Sequence, residues 1–236
     1  MAELAIVVLS KTDTYLTGLI KSLLTSQPDL FSRTRVIVVD DGLSESLVTD
    51  LRGKGVEFYP GIKPFCFARN ANIAISRVIA LGLPMLLVND DTEVVTPRFL
   101  DKVSVLTRGP YTAISCSIVP VQGVGNPSQA YELNARYGET WGIPKHEILC
   151  FVSVLFQAGA FERVGLLDER FVGYGYEDND WCFRAHSLGL PLGITRTLVF
   201  RHIGPAGCGG TYKKLQRYRD MAIQNMTLFN QKWHRQ

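Results

Sequence analysis

Leu86-Leu87-Val88-Asn89-Asp90-Asp91-Thr92-Glu93 is the stretch from which the fold can be read. Three apolar residues run directly into three polar ones, two of them carboxylates. The apolar run predicts a buried strand, and the acidic residues stand where that strand leaves its sheet. In an open α/β sheet, ligands gather at the carboxyl ends of the strands. Hard divalent cations prefer carboxylate oxygens and keep water and substrate phosphates as further ligands. Such a turn is either a plain Asx-type turn or a seat for a metal and a diphosphate. In the second reading Asp91 is central, with Asn89 and Asp90 beside it.

Upstream, Leu4-Ala5-Ile6-Val7-Val8-Leu9 and Val36-Ile37-Val38-Val39 are continuous apolar runs of the kind that buried parallel strands show. The second run ends in another acidic turn, Asp40-Asp41-Gly42. Between the runs, Tyr15, Leu16, Leu19, Ile20, Leu23 and Leu24 recur at helical spacing, with Asp13 as the candidate cap. Ser44 is the cap of a short helix, and Val56 to Tyr59 is a short strand. A further helix is predicted over 67–81, and Thr96-Pro97 reads as a helix start. This alternation, through about residue 110, predicts a doubly wound parallel sheet. Two acidic turns on one sheet are harder to explain by chance than one.

The second half reads differently. Thr112 to Val119 and Phe151 to Phe156 are strand-like. Between them, 122–148 is rich in Gly, Pro and Asn and carries Tyr131, Tyr137 and Trp141. An irregular segment of that length in a compact domain is usually functional. Glu177, Asp178 and Asp180 open a helix, where the dipole favours carboxylates. They serve as plain caps, or one acts as a general base toward a hydroxyl. The preceding Gly173-Tyr174-Gly175-Tyr176 suits close approach by a ligand. Trp181 is expected in the core. Leu198-Val199-Phe200 is a strand ending at His202, whose imidazole is either structural or a second ligand to the metal at Asp91. Arg69 opens the 67–81 helix, where helix N-terminus and guanidinium together suit a phosphate. A glycine loop at 204–210 leads into a last helix, 212–233. Its Lys213, Lys214, Arg217 and Arg219 face solvent or an anionic acceptor.

Composition sets the outer bounds. The chain has 236 residues, 46% hydrophobic and 20% charged, with a net charge of +3. That is ordinary globular material. The mild basicity permits anionic substrates and does not single out a nucleic-acid binder. No apolar run approaches the ~20 residues of a membrane span. The start, Met1-Ala2-Glu3, carries an acid where a signal peptide has basic residues, so a first strand and a cytoplasmic protein are expected. Cys66, Cys116, Cys150, Cys182 and Cys208 are scattered without a CxxC pair. That argues against zinc and against a disulfide framework, and for free buried thiols.

At this point the residues resemble a known family. Val38-Val39-Asp40-Asp41-Gly42-Leu43-Ser44 is similar to the nucleotide-binding turn of family 2 glycosyltransferases, with Leu43 intervening before the serine. Phe67-Ala68-Arg69-Asn70 resembles that family's helix start. Asn89-Asp90-Asp91 resembles its metal-binding DxD motif with Asn first. Gly165 to Phe171 followed by Tyr176-Glu177-Asp178-Asn179-Asp180-Trp181 resembles its catalytic block, and Gly-Tyr-Gly-Tyr-Glu-Asp is also similar to the β-1,4-galactosyltransferase motif. The four stretches occur in order across nearly the whole chain.

The resemblance implies an α/β protein of the GT-A fold, with a single Rossmann-like doubly wound mixed sheet flanked by helices. It implies one domain over 1–236, with a nucleotide-sugar half at about 1–110 and an acceptor and catalytic half at about 111–236. The donor is a nucleotide-diphosphate sugar, a UDP-sugar first. Ser10, Thr12, Asp40, Asp41, Arg69, Asn89, Asp90 and Glu177 line its site, with Lys11 close by. Asp91 and His202 hold Mn²⁺ or Mg²⁺ on the diphosphate. Asp178 is the base of an inverting transfer. The 122–148 and 204–210 loops cover the site. The acceptor hydroxyl belongs to a glycan, a lipid-linked sugar, a protein or a modified nucleic-acid base.

Other classes fare worse. A Rossmann dehydrogenase needs a GxGxxG after the first strand, and none is present. A nucleotidyltransferase needs a glycine-rich phosphate loop there, and Ser10-Lys11-Thr12-Asp13 lacks the glycines. A sugar-nucleotide-binding module that has lost catalysis stays as the alternative, with Asp91, Asp178 and His202 together speaking against it.

Overall fold

The computed structural model describes residues 2–120, 127–134, 138–203 and 216–233. Four parallel strands form one side of its sheet: β1 (Leu4–Ser10), β2 (Thr34–Asp40), β3 (Glu57–Pro60) and β4 (Met85–Val88), in the order β3-β2-β1-β4. β1 and β4 are buried on both faces, which is why their sequences read as unbroken apolar runs. Alternate residues go to opposite layers. Leu4, Ile6 and Val8 pack with helices α1 (Asp13–Ser26) and α5 (Phe99–Leu106). Ala5 and Val7 pack with α4 (Phe67–Leu81). The short helices α2 (Leu30–Arg33) and α3 (Glu45–Gly53) complete the crossovers.

The parallel order stops after β4. There β8 (Ser153–Phe156) pairs antiparallel with β4 and also antiparallel with β6 (Ala113–Val119). β6 runs parallel to β9 (Leu192–His202). The sheet is therefore mixed, as the resemblance implies, and with β5 (Thr92–Val94) at its far edge its order is β3-β2-β1-β4-β8-β6-β9-β5. The strictly parallel expectation holds only for the first four strands.

β9 is much longer than the Leu198-Val199-Phe200 run suggested. Its register against β6 shifts between Cys116 and Ser117, from Thr195 to Val199. An irregularity of this kind bends a strand. Before it, β9 pairs with β7 (Thr140–Gly142); after it, with β5 (Thr92–Val94). Helices α6 (Ala160–Val164) and α7 (Glu177–Ser187) lie on the α4 face, and α8 (Gln216–Trp233) closes the described chain. Trp181 is fully buried among Phe151, Phe156 and Phe161, as expected of a core residue.

Two helix starts differ from the sequence reading. Helix α5 begins at Phe99, not at Thr96-Pro97, because the Thr96 hydroxyl accepts from the Val199 N–H on β9 (2.8 Å) instead of capping. In α1 the cap position is Thr12. Asp13 instead accepts from the Ser44 N–H (2.9 Å), tying α1 to the turn after β2. Ser44 caps α3 as expected, accepting from the Leu47 N–H. Gly204 to Gly210, Lys213, Lys214 and the Tyr212 helix start lie outside the described residues, as do Tyr137 and the side chains of Arg217 and Arg219.

Candidate active site

The carboxyl ends of β1, β2 and β4 meet at one edge of the sheet. The Ser10 hydroxyl, at the end of β1, donates to Asp90 Oδ2 (2.7 Å) in the turn after β4. The Ser10 carbonyl accepts from the Asp41 N–H (2.7 Å) in the turn after β2. One residue thus fastens both acidic turns. Burial raises the Asp90 carboxyl to about 6, against the Ser10 bond, which lowers it; the neighbouring Asp91 pushes it further up.

The turn after β2 is an Asx turn. Asp40 Oδ1 accepts from the N–H groups of Gly42 and Leu43, both at 2.8 Å. Asp41 is buried, and Lys63 Nζ donates to both its carbonyl (2.7 Å) and its carboxylate. Gly61 closes this corner. A Cβ there would stand 2.9 Å from the Asp40 carbonyl and 3.2 Å from Asp41 Oδ1. Thr12 heads α1, its carbonyl accepting from Tyr15 and Leu16.

Arg69 begins α4, but its guanidinium is turned to the Pro64 carbonyl, and its Nε is buried with no partner. Next to it Asn70 is fully buried. Its Oδ1 accepts from the Ile62 N–H (2.9 Å), and its Nδ2 has no partner.

Asn89, Asp90 and Asp91 form the turn between β4 and β5. The Asn89 N–H donates to the Val152 carbonyl (2.8 Å), and its carbonyl accepts from Thr92 Oγ1 (2.8 Å). Beyond it, the β5–β9 ladder sets Thr92 opposite His202 and Glu93 opposite Arg201. The Ile203 N–H donates to the Asp91 carbonyl (2.9 Å). The result is that Asp91 Oδ2 and His202 Nε2 stand 3.1 Å apart, both side chains largely buried.

This donor pair fits a divalent cation. Two ligands at about 2.1 Å and a right angle stand about 3.0 Å apart. One carboxylate and one imidazole leave further positions for phosphate oxygens and water, the usual arrangement for Mg²⁺ or Mn²⁺. Among the described residues, no group of three or more His, Cys, Asp and Glu is gathered about a common point.

The second acidic feature is the start of α7. Three left-handed backbone positions precede it: Gly173 (φ 67°), Gly175 (φ 113°) and Tyr176 (φ 71°). Only glycine adopts these without cost, so Tyr176 is a strained residue. Glu177 is buried, and its Oε2 accepts from the Gly175 N–H (2.6 Å). Burial, then the adjacent Asp178, raise its carboxyl to about 8. Asp178 is the more open of the two, and its Oδ1 accepts from the Asn179 N–H (2.8 Å).

Tyr174 links the two acidic regions. Its ring meets Phe67 edge-on at 5.4 Å. Its phenol is held protonated first by burial, then by the negative fields of Glu177, Asp178 and Asp91. The carboxylates of both regions thus lie within electrostatic range of one phenol. Sequence reading gave no role to Lys63, Gly61 or Asn70, and gave Tyr174 only a place in the glycine turn that suits a ligand's approach. Asn70 stood within a quoted motif, but only the folded chain puts Lys63 against Asp41 and Asn70 against Gly61.

No protein-family model matches the chain, and no curated protein matches it in sequence. Solved structures do match in fold. A structure of GalNAc-T7 with UDP, GalNAc and Mn²⁺ matches 99% of this chain and 48% of its own, at 12% identity and a TM-score of 0.72. The mannosyltransferase PcManGT from Pyrobaculum calidifontis, with GDP-Man and Mn²⁺, matches 99% of this chain and 64% of its own, at 13% identity and 0.65. S. aureus TarS 1-349 with UDP-GlcNAc matches 93% and 64%, at 14% identity and 0.62. The chain thus spans about half to two thirds of the length of these proteins. The fold is the GT-A fold of glycosyltransferases.

Proposed function

We propose that this chain is an inverting, metal-dependent glycosyltransferase of the family 2 type, moving a hexosyl group from a nucleotide-diphosphate sugar to an acceptor hydroxyl. The observation that carries the reading is the pairing of Asp91 Oδ2 with His202 Nε2 at the carboxyl edge of the parallel strands. In a fold of this class that edge is where ligands bind. The GT-A structures that match the chain with UDP, GDP-Man or UDP-GlcNAc support a nucleotide-sugar donor, and we take a UDP-sugar as the first candidate.

In this reading the chain is one domain with two halves. The 1–110 half holds the donor. Asp40, with Asp41 locked by Lys63, faces the nucleoside, with Ser10 and Thr12 beside it. Asp91 and His202 would hold Mn²⁺ or Mg²⁺, which would supply charge neutralisation to the departing diphosphate. Asn89 and Asp90 shape the same turn. Arg69 reaches the phosphates only after leaving the Pro64 carbonyl.

The 111–236 half receives the acceptor. Asp178 takes the proton from the acceptor hydroxyl as its oxygen attacks the anomeric carbon, and the bond to the diphosphate breaks on the opposite face. One displacement inverts that carbon. Burial, then the adjacent Asp178, push the Glu177 carboxyl up, which favours its acid form beside the base. Among the described residues no helix is long and apolar enough to cross a membrane. Cys66, Cys116, Cys150 and Cys182 are thiols, not disulfides, and we take the cytoplasm as the setting.

The test is calorimetric titration with UDP, GDP, CDP and dTDP, each with and without Mn²⁺. Metal-dependent binding of one nucleotide is expected and identifies the donor class. Binding of none of them would remove the transferase reading.

A further inference from the structure

The segment from Leu167 to Tyr176 carries the acidic pair into the site, yet it belongs to no strand or long helix. Its backbone groups still need partners. Two buried asparagines supply them. On α4, Asn72 accepts from the Leu167 N–H (3.0 Å) and donates to the Leu167 carbonyl (2.9 Å). On α8, Asn225 accepts from the Val172 N–H (3.0 Å) and donates to the carbonyls of Val172 and Gly175, both at 2.9 Å. Asn225 is fully buried. Its carboxamide is the only kind of side chain of that size that both accepts and donates twice from one planar group.

The rest of that helix face grips the same region. Four residues before Asn225, Met221 fills the space over Gly173, where a Cβ would stand 2.7 Å from its Sδ. Four residues after it, Phe229 packs on the ring of Tyr176 at 5.6 Å and on Phe183 at 5.0 Å. At the helix end, Trp233 Nε1 and Lys232 Nζ donate to Asp180 Oδ1 (2.9 and 2.7 Å), fixing α7 itself. From the other side, the Gly173 carbonyl accepts from the Phe67 N–H at the start of α4 (2.6 Å). The turn is thus held between α4 and α8. Its strained Tyr176 persists because these contacts over-determine it.

We propose that Asn225 is a positioning residue: its carboxamide fixes the Val172–Gly175 backbone and through it the placement of the Glu177 and Asp178 carboxylates. This rests on reading Asp178 as the base. Asn225 touches no reacting atom. It acts because the Gly175 N–H, whose carbonyl Asn225 holds, is the group that binds Glu177 Oε2.

The test compares Asn225→Ala and Asn225→Asp with the wild type. The readouts are amide hydrogen exchange, affinity for UDP with Mn²⁺, and UDP release from UDP-Glc, UDP-Gal, UDP-GlcNAc and UDP-GalNAc with water as acceptor. Loss of buried hydrogen bonds is expected to speed exchange at the Val172 and Gly175 amides by at least about tenfold. Misplacing the base is expected to lower kcat about 100-fold. UDP affinity and KM should stay within about twofold, because the loss falls on the transition state. Asn225→Asp keeps the shape but aims a carboxylate at two carbonyls, so it should fail as alanine does. It also decides the matter if the alanine variant does not fold. Gln224→Ala, on the exposed face of the same helix, should change nothing.

Unchanged exchange at Gly175 overturns the proposal. So does full kcat in an Asn225 variant while Asp178→Asn is inactive, because Asn225 is then merely structural. If the wild type neither binds UDP nor releases it, the transferase reading fails and the catalytic part of the proposal with it. The exchange result then still decides whether Asn225 holds the turn.

Discussion

Asp91 and His202 lie far apart in sequence, yet their side chains meet at 3.1 Å because the β5–β9 ladder sets Thr92 opposite His202. The ladder has only three residue pairs, so the meeting depends on a small piece of sheet at its edge. Two neighbouring contacts brace it: the Glu93–Arg201 ion pair in the next register position (3.2 Å) and the Ile203 N–H bond to the Asp91 carbonyl.

On the proposed reading of His202 as a metal ligand, His202→Ala should weaken Mn²⁺-dependent UDP binding by about tenfold or more, since a direct ligand matters at least as much as the outer-shell partners that cost 10–100-fold. Metal-free UDP binding should be unchanged. The check is the same calorimetric titration run with and without Mn²⁺. Equal metal dependence in variant and wild type would return His202 to a structural role. Asp91→Ala should show the same loss.

Asp178→Asn keeps the size and the helix start but cannot take a proton. On the proposed reading of Asp178 as the general base, which contributes about 10²–10⁴-fold, turnover should fall by that much. UDP affinity should be nearly unaffected, as Asp178 lies outside the donor corner. Wild-type turnover in this variant would strike Asp178 from the role of base.

Gly61→Ala probes the donor corner. The added methyl would press on the Asp40 carbonyl at 2.9 Å, a backbone atom that cannot swing away. The same Asp40 makes the Asx turn to Gly42 and Leu43. The corner must shift, at a cost of about 1–3 kcal/mol in stability, the range for overpacking. UDP affinity should fall as well, measurable by calorimetry beside a thermal melt. An unchanged melt and unchanged affinity would show that this corner yields freely and has no part in binding.

The parts of the fold that the sequence reveals are those where one physical cause dominates. β1, β2 and β4 are legible because burial on both faces demands unbroken apolar runs, and their acidic exits mark the carboxyl edge. The acidic start of α7 is legible because helix dipoles favour carboxylates there. β5 escapes notice: three residues, Thr92-Glu93-Val94, carry no pattern, and only pairing with β9 makes them a strand. The front half of β9 escapes for the same reason. Its Leu192-Gly193-Ile194-Thr195 is held by both β6 and β7, long-range partners that no local signal announces. The helix start at Arg69 is legible, but not that its guanidinium turns to the Pro64 carbonyl, a contact set by the turn before α4. Asn225 gave no sign at all, being one asparagine in a polar helix. Its importance lies in two carbonyls and an N–H that come to it only in the folded chain.

Glu177 ties stability to pH. Its carboxyl is raised to about 8 in the folded protein by burial and by Asp178, from 4.5 in the unfolded chain. Below about 4.5 both states carry the proton, and Glu177 costs nothing. Between 4.5 and 8 the unfolded chain releases the proton while the folded one keeps it, so folding loses ground as pH rises. Above about 8 both are ionised, and the penalty reaches its full value. The wild type should therefore lose stability from pH 5 to pH 9 on account of this group. Glu177→Gln keeps an acceptor for the Gly175 N–H and cannot ionise, so its melting temperature should fall less over the same range. Its advantage over wild type should be greatest above pH 8. The measurement is a series of thermal melts of both proteins at pH 5, 6, 7, 8 and 9. Parallel curves would mean that Glu177 ionises in the folded protein as readily as in the unfolded one, and the picture of a neutral acid beside the base would have to be given up.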